Sequence, residues 1–468
     1  MEVFGFKLIK QGQAEYVLTT KTRKIYFFAT EKLLSQMDQA VFHQAINLAE
    51  SQGLVGPVCI MPDAHSGYGA PIGSVFAADE SGFVFPGAIG FDINCGMRLL
   101  VTNLTAKELE PYIEKLVAKL YEMVPAGVGK KGFLSINKNQ LRSLTQSGVP
   151  FLVKELGLGW AKDIEAIEER GGVQPADFEF VSDRAVARGL AQLATLGSGN
   201  HYLEIQKVEK LFDKQTAGKY SIFTKDQVVV MLHCGSRGFG HQICSDYLIA
   251  FEKQARQQKI KLTDRQLAGL PIMSQLGQAY LSAMGCAANY AFVNRQAITY
   301  QIRRCFEIVL GGKAQDYNLS LVYDVSHNIG KFEQHNLLDS GVEQRVFVQR
   351  KGATRSFPNQ PVIIGGSMET GSYLLLGTSD SLKKSFGSTA HGAGRRLSRT
   401  QAKKQIDGRK LWQDLKQKGI YIKSASFSGL AEEAGLAYKD VSEVVSAVSA
   451  ANLSRPIAYF KPIGNIKG

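Results

Sequence analysis

Residues 90–97 read GFDINCGM, so a carboxylate, Asp92, stands three positions before a thiol, Cys95, with glycines at 90 and 96. Apolar residues crowd the wider run 83–100, FVFPGAIGFDINCGMRLL, which predicts buried backbone. A buried carboxylate needs a partner, because an unpaired one is expensive to desolvate. A divalent cation such as Mn, Zn or Fe is one partner that suits a thiolate and a carboxylate together. A structural Cys beside a turn-forming Asp is the other reading, and this stretch alone does not choose between them.

Three histidines occupy similar settings. His201 follows a Gly-Ser-Gly turn in LGSGNHYLE, residues 196–204, which also delivers Asn200 and Glu204. His233 directly follows the apolar run VVVML, 228–232, and precedes CGSRGFG. Ser326, His327 and Asn328 follow LSLVYDV, 319–325. One such histidine is more often structural than a ligand. Three, with Asp92 and Cys95, make a donor set for one or two transition metals. If Cys95 bridged, two metals would sit about 3.5–4 Å apart, the spacing used in phosphoryl chemistry.

A fourth histidine, His391, lies in STAHGAGR, 388–395. A neutral imidazole can attack phosphorus and form a phosphoramidate that leaves easily. The flanking glycines would open access, and Arg395 with metals would neutralise charge. The surrounding run 383–410 is strongly basic, with Lys383, Lys384, Arg395, Arg396, Arg399, Lys403, Lys404, Arg409 and Lys410 against only Asp407. A solvated helix face is the usual meaning of such a run, but next to His391 it suggests phosphate contact. The turn in PVIIGGSMETGSY, 361–373, could bind an anion or a base edge. His65, in a strand-to-glycine loop that also holds Asp63, reads as functional; His43 and His241 read as ordinary helix residues.

These residues need rigid supports. The β-branched runs before His233 and His327 read as buried strands of a sheet core. Helices are expected over 32–49, 105–124, 153–170 and 184–196, with a Thr105/Glu108 capping box opening the second. A long buried helix rich in alanine is expected over 275–310, and 125–146 reads as a surface loop. The candidate ligands run from 92 to 391 without a low-complexity linker, so one α+β domain over 1–468, with buried sheets flanked by helices, is the expected architecture.

Composition sets outer bounds. Of 468 residues, 44% are apolar and 21% charged, which suits a sizeable core. Lys and Arg number 55 against 42 Asp and Glu, a surplus of +13 that suits a polyanionic partner. Six cysteines without CxxC spacing argue for a reducing compartment and against a disulfide scaffold. No secretory leader and no run of membrane-spanning length is evident, so a cytoplasmic protein is expected.

Seven motifs in order, GFDINCGM, GSGNH, HCGSRG, SHN, GGSME, AHGAGR and a terminal KG, resemble the RtcB family of GTP-dependent RNA ligases over essentially the whole chain. The resemblance implies two Mn(II) ions. Asp92, Cys95 and His201 would bind one, and Cys95, His233 and His327 the other. His391 would take GMP from GTP. The guanylate pocket would include Asn200, His201, Tyr202, Leu203, Glu204, His327, Asn328, Gly365, Gly366, Ser367, Met368, Ser372, His391, Gly392, Ala393, Gly394 and Lys467, with Tyr438 stacking on guanine. The family joins an RNA 3′-phosphate or 2′,3′-cyclic phosphate to a 5′-hydroxyl, in tRNA splicing or RNA repair. RNA and GTP are therefore the expected partners, archease a candidate activator, and a monomer the expected state. Tyr202 stands where many members have Phe, and Phe85 and Ala88 depart from the commoner SPGGVG; neither change removes a ligand. A metal-dependent phosphoesterase and a non-catalytic RNA-binding paralogue are the rival readings, and an intact ligand set with His391 disfavours both.

Overall fold

Apolar, β-branched runs build two large sheets in the computed structural model, which describes residues 1–336 and 343–468. The first has eight strands. Seven run in the order Ser320–Ser326, Gly96–Thr105, Gln227–Cys234, Tyr202–Leu211, Ser454–Lys467, Ser372–Gly377 and Pro361–Gly365. The eighth, Tyr421–Ser424, pairs in parallel with Ser454–Lys467. Gln227–Cys234 is buried at every position, as its unbroken apolar run predicts. The second sheet has seven strands in the order Asn328–Asn336, Glu343–Lys351, Ile72–Ala78, Val55–His65, Lys24–Phe27, Glu15–Thr19 and Ile9–Gly12. Pairing is antiparallel in both sheets except at Tyr421–Ser424 and between Lys24–Phe27 and Val55–His65. Helices cover these sheets, and the fold is α+β.

The chain passes from the first sheet to the second at a single residue, His327, between Ser320–Ser326 and Asn328–Asn336. The two sheets therefore share a seam, and the site lies there.

The helix Gln275–Leu310 packs behind the first sheet and is buried over most of its 36 residues. Its many Ala and Gly residues let neighbouring backbone approach closely. Ser274 caps it by accepting from the Gly277 N–H. The Thr105/Glu108 capping box forms as expected.

Other boundaries differ from expectation. The stretch 153–170 is two helices, Val149–Leu156 and Ala161–Glu165, because Gly157 turns left-handed and ends the first. Within 125–146 a helix, Lys138–Ser147, starts from an Asn137/Gln140 capping box. The stretch 32–49 divides into Glu31–Ser35 and Gln39–Ala49, the second with Asp38 at its N-cap position. Within the run 83–100, Pro86 starts a short helix, Pro86–Ile89, before the Asp92–Cys95 turn. No helix among the described residues is long and apolar enough to cross a membrane.

Candidate metal and nucleotide site

Antiparallel pairing sets the beginning of one strand beside the end of its neighbour. That rule gathers the site. Ser326 pairs with Gly96, His233 with Met97 and with Tyr202, and Tyr202 with Lys467. Cys95, His201, His233, His327 and Lys467 thus come from five distant places in the chain to one row along a single sheet edge.

Two groups of donors meet there, Asp92–Cys95–His201 and Cys95–His233–His327, with the ligand atoms of each within 4.8 Å of one another. Cys95 Sγ lies 3.3 Å from His201 Nε2 and 3.2 Å from His233 Nε2. His201 Nε2 is 2.9 Å from Asp92 Oδ2, and the Nε2 atoms of His233 and His327 are 3.3 Å apart. His233 Nδ1 faces Asn200 O at 3.0 Å, which favours the tautomer with the proton on Nδ1 and the Nε2 lone pair inward. His201 Nδ1 lies 3.1 Å from Leu196 O and 3.0 Å from Arg237 Nη1. Donation to Leu196 O leaves its Nε2 free as a ligand, whereas acceptance from Arg237 does not. Three inward imidazole nitrogens around one sulfur, beside a carboxylate, fit a cation.

The electrostatics agree with that fit. Burial pushes the imidazoles of His233 and His327 well below their ordinary value and lowers His201 as well. Burial, reinforced by Asp92, pushes the Cys95 thiol well above its ordinary value. Burial alone would raise the Asp92 carboxyl, but His201 and Arg237 outweigh it and hold the group well below the usual carboxylate range. Neutral imidazoles and an ionised carboxylate are ready ligands, and a divalent cation would displace the thiol proton.

The supports are equally specific. Asp92 Oδ1 accepts from the Ser236 N–H at 2.8 Å and from Ser236 Oγ at 3.1 Å, at the start of the helix Arg237–Gln257. A Cβ on Gly235 would lie 2.3 Å from that oxygen, so the CGS of HCGSRG must be glycine at its centre. Behind the row, Arg295 of the long helix donates to Asn94 O at 2.8 Å and Cys234 O at 2.9 Å. Its guanidinium, with that of Arg98, also binds Asp324, and all three side chains are fully buried. One cation-carboxylate cluster therefore ties together the turns holding Cys95, His233 and His327.

His391 reaches the row from the other side. The strand Ser388–Ala390 pairs with Ala353–Arg355 and ends on it. Its ring centroid is 4.7 Å from that of His327. Its Nδ1 lies 2.7 Å from Asp63 Oδ2, which also accepts the N–H groups of His391 at 3.2 Å and Gly392 at 3.1 Å. The ring contact is bent away from the N–H axis, so it is an electrostatic contact and not a hydrogen bond. Burial alone would raise the Asp63 carboxyl, but His391 and Lys439 outweigh it and hold it below its ordinary value. Gly394, at φ 73°, passes so close to Asp63 that a Cβ would lie 2.0 Å from its carbonyl oxygen.

A cavity of about 460 Å³, within the usual size range for small-molecule sites, opens over these residues. Of the expected pocket residues, Asn200, Tyr202, His327, Asn328, Gly365, Gly366, Ser367, Met368, His391, Gly392, Ala393, Gly394, Tyr438 and Lys467 line it, with Asp92, Cys95 and His233. The remainder stand back from its wall. Leu203 packs among apolar side chains, and Ser372 accepts from Gln206. Glu204 is buried beside Gln206 and Asn465, and burial pushes its carboxyl up to about 7. Tyr438 carries the Arg395 guanidinium 5.0 Å from its ring centroid and bonds Glu433 through its hydroxyl.

His65 also lines the cavity, and His241 stacks on Phe91 away from the donor groups. Residues without an assigned role in the sequence reading include Asp63 as partner of His391, Arg237 beside His201, and Lys351 and Glu433 in the wall. Asp63 stood two positions from His65 in the same loop, but nothing local ties it to a residue more than three hundred positions away.

A family model described as "tRNA-splicing ligase RtcB" matches residues 44–468. The tRNA-splicing ligase RtcB of Methanococcus maripaludis is 46% identical over 455 residues, 94% of either chain. That of Thermococcus kodakarensis is 45% identical, again over 94% of either chain. The RNA-splicing ligase RtcB homolog 1 of Entamoeba histolytica is 43% identical over 93% of this chain and 86% of its own.

Proposed function

This chain belongs to the RtcB family, and from that premise we propose that it is an RNA ligase of tRNA splicing that works through a guanylate carried on His391. It joins an RNA 3′-phosphate, or a 2′,3′-cyclic phosphate once opened by water, to a 5′-hydroxyl and consumes GTP. One observation carries the reading. His391, backed by Asp63, stands in the same cavity as two donor groups that share Cys95.

Asp63 holds the proton on Nδ1, which leaves the Nε2 lone pair free. Nε2 attacks the α-phosphorus of GTP, a P–N bond forms, the bond to the bridging oxygen breaks, and pyrophosphate leaves. An oxygen of the RNA 3′-phosphate then attacks the same phosphorus. The P–N bond breaks, its electron pair returns to Nε2, and GMP passes to the RNA end. The 5′-hydroxyl attacks the RNA phosphorus, loses its proton to solvent and expels GMP.

Tyr438 offers a ring for guanine, and Lys467 and Arg395 neutralise the nucleotide. Two Mn(II) ions, held by Asp92, Cys95 and His201 and by Cys95, His233 and His327, would supply charge neutralisation and Lewis acidity at the phosphates.

Incubation with a 3′-phosphate RNA, a 5′-hydroxyl RNA, GTP and Mn(II) tests the reading. A joined strand is expected. Loss of the terminal phosphate without joining would instead identify a phosphoesterase.

A further inference from the structure

The basic run of the sequence separates in space. Lys384 belongs to the helix Ser379–Ser385 and binds Glu15 at 3.0 Å, on the second sheet. Arg395 and Arg399 instead line the cavity. From there, residues 396–423 carry nine Lys and Arg against Asp407 and Asp414. Asp407 is occupied in capping the helix Gly408–Gln417. Arg399 and Lys403 share Glu432. Lys404, Arg409, Lys410 and Lys423 are exposed, and among the described residues none has a carboxylate in ion-pair range. Such a surplus on one short segment repels itself and is a cost to folding.

Phe427 follows this segment and is 47% exposed. A single exposed ring is ordinary. This one has the Arg409 guanidinium 5.5 Å from its centroid. Two positions on, Gly429 abuts the backbone of Gly468, beside the cavity residue Lys467. Two positions back, Ala425 donates its N–H to the carbonyl oxygen of the cavity residue Lys467 at 3.2 Å, and its side chain and the stem of Lys130 face the same side of Gly127. A flat ring beside an unneutralised guanidinium, on a segment with further free cations, is the arrangement that holds single-stranded nucleic acid, with bases on the ring and phosphates on the charges.

We propose that Phe427, Arg409 and Lys410, with Lys404 and Lys423 on the same segment and Lys130 near Ala425, form the track along which a single RNA strand enters the cavity. The inference rests on the ligase reading and adds to it where the strand lies. One base stacks on Phe427, and the phosphates beside it contact Arg409 and Lys410.

The test uses the full chain and a short single-stranded RNA bearing a 3′-phosphate. Three quantities are read: guanylate formed from labelled GTP without RNA, RNA affinity against salt, and the KM for RNA in joining. Arg409→Ala with Lys410→Ala should leave guanylate formation unchanged, weaken RNA binding about 10-fold, and reduce the slope of log K against log salt by about 1.4. Phe427→Ala should cost about 10-fold in affinity with the slope unchanged, and Phe427→Tyr should restore it. Lys383→Ala, on the other basic segment, should change nothing. Unchanged RNA affinity and slope in the first two variants, with guanylate formation intact, would overturn the proposal. If the wild-type chain forms no guanylate yet the variants show these losses in RNA binding, the track stands and the ligase reading falls.

Discussion

One oxygen of Asp63 serves three groups of the His391 segment: the ring Nδ1 at 2.7 Å and the backbone N–H of His391 and of Gly392. It thereby anchors the loop, and its charge beside the ring favours the tautomer with the proton on Nδ1. Asp63→Ala removes that acceptor from all three groups. The proton can then move to Nε2 and block the nucleophilic lone pair. Guanylate formation should fall by roughly 10²–10⁴-fold, with metal content unchanged. Single-turnover labelling with GTP, alongside metal analysis, measures both; near wild-type labelling would show that Asp63 does not set the tautomer.

Cys95 is the only residue common to both donor groups. Cys95→Ala should therefore abolish binding of both metals, whereas His201→Ala should impair one. Metal equivalents counted after dialysis distinguish these cases. Two equivalents retained by Cys95→Ala would mean that the sulfur does not bridge.

Asp324 neutralises two fully buried guanidinium groups, those of Arg98 and Arg295. Removing one partner of a buried ion pair costs about 3–5 kcal/mol, because the other charge stays buried. Asp324→Ala should lower the melting temperature by several degrees. Metal affinity should fall with it, since Arg295 also holds the turns around Asn94 and Cys234. An unchanged melting temperature would refute this role.

Burial raises the Glu204 carboxyl from 4.5 to about 7. The folded chain then binds a proton that the unfolded chain has released, so stability falls as pH rises from 4.5 to about 7. The loss amounts to about 3 kcal/mol. Glu204→Gln should remove this slope in denaturation midpoints measured on either side of the interval. A slope equal to that of wild type would place the titration elsewhere.

Much of this site was legible because its chemistry is written locally. Asp92 and Cys95 share one turn, and His233 and His327 stand at the ends of strands whose apolar runs are readable on their own. Helix limits were less legible. The break at Gly157 and the helix from Asn137 depend on capping geometry inside segments of mixed polarity. The pairing of Asp63 with His391 was not legible, because it arises where two sheets meet at His327. The division of the basic run was hidden for the same reason, since a tertiary contact with Glu15 takes Lys384 away from the cavity.

The central claim is that His391 carries the guanylate. The chain should be incubated with GTP labelled at the α-phosphate and Mn(II), denatured, and mapped by peptide. An acid-labile label on the peptide containing His391, absent from His391→Ala although that variant still binds metal, is the result expected. A label that persists in His391→Ala, or no label on a wild-type chain holding two metals, would contradict the account.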